Sequence, residues 1–260
     1  MGNSKSVFVG VDVGASRAKA VVLAPDKTLL GFAVEKSGTD FEAVSRLILE
    51  SSLAMARVSS KEIIKAVSTG YGRKNVPFVQ GDKTEIGCHS KGCFFYFPEA
   101  ISIIDIGGQD NKIIKLDEKG RRIQFKMNRK CAAGTGAFLE EMSLRLNIPL
   151  EEMDGLARQS RDPVKLGSYC TVFSATEVLE NIRQGKKVTD IVKGLFYSVI
   201  KRVLEMDSLT EKVVMTGGVV AHNPFLVTMI EELIERTVLV PPHPQLTGAM
   251  GAALYALEES

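Results

Sequence analysis

At 260 residues and 45% hydrophobic composition, the chain can bury one large core or two medium ones. Its net charge of +2 comes from interspersed signs, which argues against the basic stripe of a nucleic-acid-binding domain, and no apolar run approaches membrane-spanning length. A strand-like start without an apolar leader makes secretion an unfavoured reading, so the four cysteines are expected as thiols or metal ligands in a reducing, cytoplasmic setting. The opening Met1-Gly2-Asn3-Ser4-Lys5-Ser6 matches a myristoylation pattern that small polar residues meet by chance, and a disordered start or cloning remnant is the expectation.

Val7 to Val13 is an apolar, β-branched run, followed by the turn Gly14-Ala15-Ser16 and a second apolar run from Ala18 to Leu23, which predicts a hairpin. The same grammar returns in ISIIDIGGQDNKIIKL, Ile101 to Leu116. There Asp105, Gly107 and Lys112 stand where the first copy has Asp12, Gly14 and Lys19. A strand, an Asp-x-Gly turn and a strand recurring with identical internal spacing predict a duplicated α/β unit with one phosphate loop in each half. Glycine lets backbone approach a phosphate oxygen, turn N–H groups donate, and an adjacent Asp holds magnesium through water. Two plain hairpin turns are the alternative, and the absence of G-x-x-x-x-G-K-[ST] excludes a Walker-type site.

Between the copies, Asp40 to Ala56 has helical spacing, Ile63 to Ser68 reads as a strand, and Thr69-Gly70-Tyr71-Gly72-Arg73 as a loop near the predicted cleft. Cys88 and Cys93 have a C-x4-C spacing found in some ferredoxins, but without matching cysteines elsewhere they are expected to be buried, non-ligating thiols. His89 is expected to be a structural hydrogen-bonder. From Lys119 to Lys130 the chain is basic, and this segment is either a solvated hairpin or a docking rim for an acidic protein partner beside Cys131.

Next comes NRKCAAGTGAFLE, Asn128 to Glu140. Gly134, Thr135 and Gly136 form a small-residue turn at the mouth of a helix whose unpaired N–H groups could face a nucleotide, with Cys131 just ahead. Phe138, Leu139, Met142 and Leu146 give that helix an apolar face, and Asn147-Ile148-Pro149 ends it. Cys170 precedes a second helix, placed at Thr176 to Gln184 with Gly185 as its C-cap. Two cysteines ahead of two helices suggest a metal centre coupled to a nucleotide. Further on are a long amphipathic helix, Thr189 to Met206, and a short strand, Lys212 to Met215, entering Thr216-Gly217-Gly218-Val219. Gly217 and Gly218 read as an adenosine contact or a core-packing turn. Pro224 to Arg236 is a helix, Val238 to Val240 a strand, and Gln245 to Ala253 a small-residue helix able to pack tightly on a sheet.

Taken together, DVGASRAK, DIGGQD, KCAAGTGAFLE, CTVF and TGG resemble the activator ATPases of the 2-hydroxyacyl-CoA dehydratase and benzoyl-CoA reductase group, of the actin, sugar-kinase and heat-shock-chaperone superfamily. The resemblance runs from about Val7 to Leu257. It implies an α/β fold of two ribonuclease-H-like domains with a nucleotide cleft between them, the first 1–100 plus a C-terminal helix 247–260, the second 101–246. It also implies ATP or ADP, Mg2+, and one [4Fe-4S] cluster per homodimer, ligated by Cys131 and Cys170 from each subunit. Its partners would be an iron–sulfur dehydratase or reductase as electron acceptor and a ferredoxin or flavodoxin as donor, with no nucleic acid and no membrane.

Carried over residue by residue, Gly14, Ala15, Ser16, Arg17, Ala18 and Lys19 form the first phosphate loop. Asp105 to Asp110, including Gly107, Gly108 and Gln109, form the second. Gly134, Thr135, Gly136, Glu140, Gly217, Gly218 and Gln245 surround the nucleotide. Asp12 and Asp105 would position magnesium and the attacking water, assisted by Gln109 or Asp110. The chain departs from the family where Ser-Thr-x-Ser-Lys becomes Ala15-Ser16-Arg17-Ala18-Lys19, and where Asp and Arg become Arg129 and Ala137. Two rival readings are a small-molecule kinase of the same fold and a nucleotide-sensing scaffold in which Cys131 and Cys170 are packed thiols.

Overall fold

The structure, a computed structural model, describes residues 6–167 and 170–260. Residues 1–5 of the acylation-like pattern, and Ser168 and Tyr169 ahead of Cys170, lie outside them. The described chain divides into two compact units: residues 6–99, Leu116–Arg122 and Leu246–Ser260, and Ala100–Lys115 with Ile123–Gln245.

The first unit opens with β1 (Val7–Val13), β2 (Arg17–Leu23) and β3 (Leu29–Lys36), continues through α1 (Phe41–Ala56), β4 (Ile63–Thr69) and β5 (Gly81–Asp82), and reaches α2 (Glu85–Tyr96). Its sheet order is β3-β2-β1-β4-β5. Strand β1 is buried at every position because it lies between β2, antiparallel, and β4, parallel, and its continuous apolar run suits a strand covered on both faces. Asp40 caps α1 by accepting from the Ala43 N–H.

The second unit holds β6 (Ile101–Ile106), β7 (Asn111–Leu116), β8 (Arg122–Asn128), α3 (Gly136–Leu146), α4 (Met153–Gln159), α5 (Thr171–Arg183), α6 (Val188–Leu204), β9 (Val213–Thr216), α7 (Gly218–His222), α8 (Pro224–Ile234) and β10 (Val238–Leu239). Its order, β10-β9-β6-β7-β8, is that of the first sheet with β6 in the place of β1. The duplication inferred from two Asp-x-Gly turns therefore extends to whole sheets. Apolar residues of α3, α4, α6 and α8 form this unit's core against β6 and β9.

Chain end α9 (Thr247–Glu258) returns to the first sheet. A Cβ at Gly10 of β1 would collide with the Ala249 carbonyl and the Ala253 backbone, and one at Gly251 with the Cys88 carbonyl of α2. Small residues in α9 thus set a backbone-to-backbone approach on both sides.

Several boundaries differ from the sequence reading, three of them at the ends of α5 or the start of α9. Helix α5 starts at Thr171 rather than Thr176, with Cys170 itself at the N-cap; β-branched Thr171 and Val172 weaken the helical signal there. Gly185, at φ +73°, follows the C-cap Gln184. Pro244–Leu246 is a 3-10 turn, so α9 begins two residues after Gln245.

Gly251→Ala is expected to destabilise by about 2 kcal/mol or more, because the obstacle is backbone that has nowhere to move. Gly155→Ala, in α4 with open space around its Cβ position, should stabilise by about 0.5–1 kcal/mol. Thermal unfolding of both distinguishes them, and equal Tm values would contradict the tight α9 contact.

Candidate functional site

Each unit carries the same constellation at the C-terminal end of its central strand. In the first, Asp12 at the end of β1 stands opposite Lys19 of β2 and Thr69 of β4 in register, and Lys19 Nζ reaches Asp12 Oδ2 at 3.1 Å. In the second, Lys112 Nζ meets Asp105 Oδ2 at 2.9 Å and Asp110 Oδ1 at 2.7 Å, while Thr216 Oγ1 donates to Asp105 Oδ1 at 2.8 Å. The turns match as well: the Gly14 N–H donates to Arg17 O at 3.0 Å, and the Gly107 N–H to Asp110 O at 2.9 Å. Asp-x-Gly…Lys is thus a folding unit in which lysine neutralises a buried carboxylate across a hairpin.

The structure adds a second half to this motif. Gly70 follows Thr69 at φ +87°, and Gly217 follows Thr216 at φ +103°. A Cβ at Gly70 would press on Asp12 Oδ1, and one at Gly217 on the Ile106 carbonyl. Both positions need glycine for conformation and for space. Sequence reading singled out Thr216-Gly217 but not its match to Thr69-Gly70, because the two Thr-Gly pairs lie at unequal distances from their aspartates. Gly248 completes the Asp12 surround: a Cβ there would lie 2.9 Å from Asp12 Oδ2 and 3.2 Å from His89 Nε2. His89 Nδ1 and Thr247 Oγ1 lie 3.0 Å apart, the structural role expected of this histidine.

Of the first-loop residues, Ala15 and Arg17 are exposed, Gly14, Ser16 and Lys19 half-buried and Ala18 buried. In the second loop, Gly107, Gly108 and Asp110 are half-buried and Gln109 is exposed at the tip. Gly134, Thr135 and Gly136 pack directly against this loop. The Gly136 N–H donates to Gly107 O at 2.9 Å and the Ala137 N–H to Gly108 O at 2.8 Å. The sequence had suggested that these amides of α3 are open to a ligand; instead the Gly136 and Ala137 N–H groups are engaged by the Asp105–Asp110 loop. Gln245 adjoins Pro244, whose carbonyl accepts the Gly217 N–H at 2.9 Å. Glu140 lies a turn into α3, exposed, and Gly218 is the first residue of α7.

Asn111 was not anticipated. Its carboxamide is buried, and neither its Nδ2 nor its Oδ1 has a hydrogen-bond partner among the described residues. A Cβ on Gly134 would sit 2.9 Å from Asn111 Nδ2, so this polar group abuts the turn between Cys131 and α3.

The cysteines fall into two pairs. Cys88 and Cys93 are buried in α2, and burial pushes the Cys88 thiol up to about 12. Cys131 and Cys170 are exposed, one several residues ahead of α3 and the other at the N-cap of α5, and these two helices touch. Among the described residues no group of three or more His, Cys, Asp or Glu is gathered as a metal site. Among the same residues no helix is long and apolar enough to cross a membrane.

Comparison with known proteins bears on these features. The BadF/BadG/BcrA/BcrD ATPase family model matches residues 9–256. The activator of lactoyl-CoA dehydratase from Anaerotignum propionicum is 42% identical over 253 residues, covering 96% of this chain and 97% of that protein. The activator of the 2-hydroxyisocaproyl-CoA dehydratase from Clostridium difficile, solved with bound ADPNP, superposes with a TM-score of 0.91 at 39% identity, covering 97% of this chain and 95% of that one. A ROK family glucokinase from Streptomyces griseus, at 13% identity and a TM-score of 0.58 over 97% of this chain and 100% of its own, shares the fold alone. The two-sheet architecture is that of the actin and sugar-kinase class of ATPases.

Two outcomes follow. Lys112→Met strands two carboxylates and should destabilise by about 3–5 kcal/mol. Lys19→Met, at a more exposed amine facing one carboxylate, should lose less, and urea unfolding ranks the two. In the metal-free native chain, alkylation at pH 8 should label Cys131 and Cys170 ahead of Cys88 and Cys93, as read by peptide mass spectrometry.

Proposed function

The chain belongs to the BadF/BadG/BcrA/BcrD ATPase family, and we propose that it is an ATP-driven activator passing one electron at low potential to an iron–sulfur dehydratase or reductase, such as a 2-hydroxyacyl-CoA dehydratase. The Asp12 and Asp105 loops are the phosphate-binding elements for ATP, each with a carboxylate able to hold Mg2+ through water. Lys19 and Lys112 fix those carboxylates. Asp110 has its Oδ1 committed to Lys112, so Gln109, exposed at the loop tip, orients the attacking water. The ADPNP-bound relative at 39% identity supports nucleotide binding of this kind.

Cys131 and Cys170 fit half of a cubane ligand set, being exposed thiols on one unit ahead of two touching helices. A homodimer completes the set. Val172 and Phe173, just after Cys170, and Leu179 further along α5 are exposed apolar side chains that suit burial in such an interface. Bound there, a [4Fe-4S] cluster supplies a one-electron site, recharged by a ferredoxin or flavodoxin.

One observation carries the coupling. Gly107 O and Gly108 O, in the loop that binds phosphate, accept the first free amides of α3, the helix that Cys131 precedes. A change in the loop on hydrolysis must shift that helix or break both bonds.

Asp105→Asn should lower ATP hydrolysis by about a hundredfold or more while the protein stays folded; hydrolysis at the parent rate would remove Asp105 from the mechanism. After anaerobic reconstitution the parent dimer should hold about four irons, lost in Cys170→Ser. Equal iron content in the two would end the proposed ligation.

A further inference from the structure

Strand β8 is an edge of its sheet, with no strand beyond it in the order, and every residue from Ile123 to Lys126 is exposed. Ile123 and Phe125, 66% and 45% exposed, share one face by strand alternation. Gln124 and Lys126 share the other and reach Asp207, at 2.9 Å and 3.9 Å. Past β8 the chain continues through Arg129 and Lys130 to the exposed Cys131. Between Ile123 and Cys131 there are three cations and no carboxylate. The Arg129 guanidinium lies against a neutral thioether, its Nη2 2.9 Å from Met127 Sδ. Lys130 has no partner among the described residues.

We propose that Ile123, Phe125, Arg129 and Lys130 form the docking surface for the electron-accepting protein, and that it meets an acidic patch on that partner. This rests on the reading of Cys131 as a cluster ligand, since an electron leaves most readily through the surface nearest its carrier. Exposed apolar side chains on an unpaired strand edge provide contact area, and cations lacking carboxylate partners provide steering toward the opposite charge. The shared cluster would bring Arg129 and Lys130 of two copies of this chain near one another, and an acidic acceptor spanning both strips would neutralise cations that the second copy cannot.

The test compares the reconstituted parent with Arg129→Glu/Lys130→Glu, the milder Arg129→Gln/Lys130→Gln and a control of equal charge change, Arg57→Glu/Lys61→Glu, on the first unit. Affinity is measured for two probes, lactoyl-CoA dehydratase of Anaerotignum propionicum and 2-hydroxyisocaproyl-CoA dehydratase of Clostridium difficile, at low and high salt. Expected are parent binding to at least one probe that weakens with salt, a loss of about tenfold or more in the Glu pair, a smaller loss in the Gln pair, and none in the control. Iron content and ATP hydrolysis should match the parent; should the Glu pair lose iron, the Gln pair decides. Binding unaffected by both rim variants overturns the docking surface and leaves the activator function standing. A parent that hydrolyses ATP, holds iron and binds neither probe overturns the acceptor reading and the rim with it. Self-association that the rim variants strengthen or abolish assigns the strip to a second copy and overturns the proposal.

Discussion

Burying an ammonium group beside a carboxylate is the constraint from which the Asp105–Asp110 loop takes its shape. Lys112 is 2% exposed and is held by two carboxylates, Asp105 and Asp110. Lys112 alone in that interior would incur a desolvation penalty of several kcal/mol, which the two carboxylates offset between them. Asp110 reaches Lys112 only because the hairpin closes through the Gly107 N–H to Asp110 O bond. Glycine at 107 is then required sterically, since a Cβ there would lie 2.6 Å from Asp110 Oδ1. The same closure leaves the Gly107 and Gly108 carbonyls for α3. Ion pair, turn geometry and helix attachment are one linked arrangement.

The first unit repeats this with less burial. Lys19 has a 17% exposed side chain and, among the described residues, Asp12 alone as carboxylate partner. Asp12 is confined by glycines instead: Gly70 and Gly248 both have Cβ positions within 3 Å of its carboxylate oxygens.

Much of this was readable from the chain because it repeats locally. Asp-x-Gly turns with a lysine at fixed spacing gave the duplication and both hairpins, and the apolar runs gave β1, β2, β6 and β7. Contacts between segments far apart in sequence were not readable. Thr216 on Asp105 depends on strand order, and nothing in GTGA announces that its amides go to Gly107 and Gly108 instead of a ligand. Strand β3 and helix α4 went unremarked because neither carries a motif. Cys170 as the N-cap of α5 was obscured by β-branched neighbours that pack well once the helix forms. Asn111 was unreadable for a different reason: an unsatisfied buried carboxamide breaks the usual rule, and only the packing at Gly134 exposes it.

The two loops differ in what they are tied to, and that difference gives the duplicated fold a direction. In the first unit the Gly14 carbonyl accepts from Ser37 Oγ at 2.7 Å, just past the end of β3, so the loop is anchored to its own sheet. The equivalent Gly107 carbonyl accepts from the first residue of α3. Both ties are double: Ser37 also donates its N–H to Ser16 O at 3.0 Å, and the Ala137 N–H donates to Gly108 O at 2.8 Å. The first loop is therefore fixed to a strand end and the second to the start of a helix, so a displacement of the second loop is carried into α3 and the segment holding Cys131. The duplication is broken at this point because the partner of a single glycine carbonyl has been exchanged.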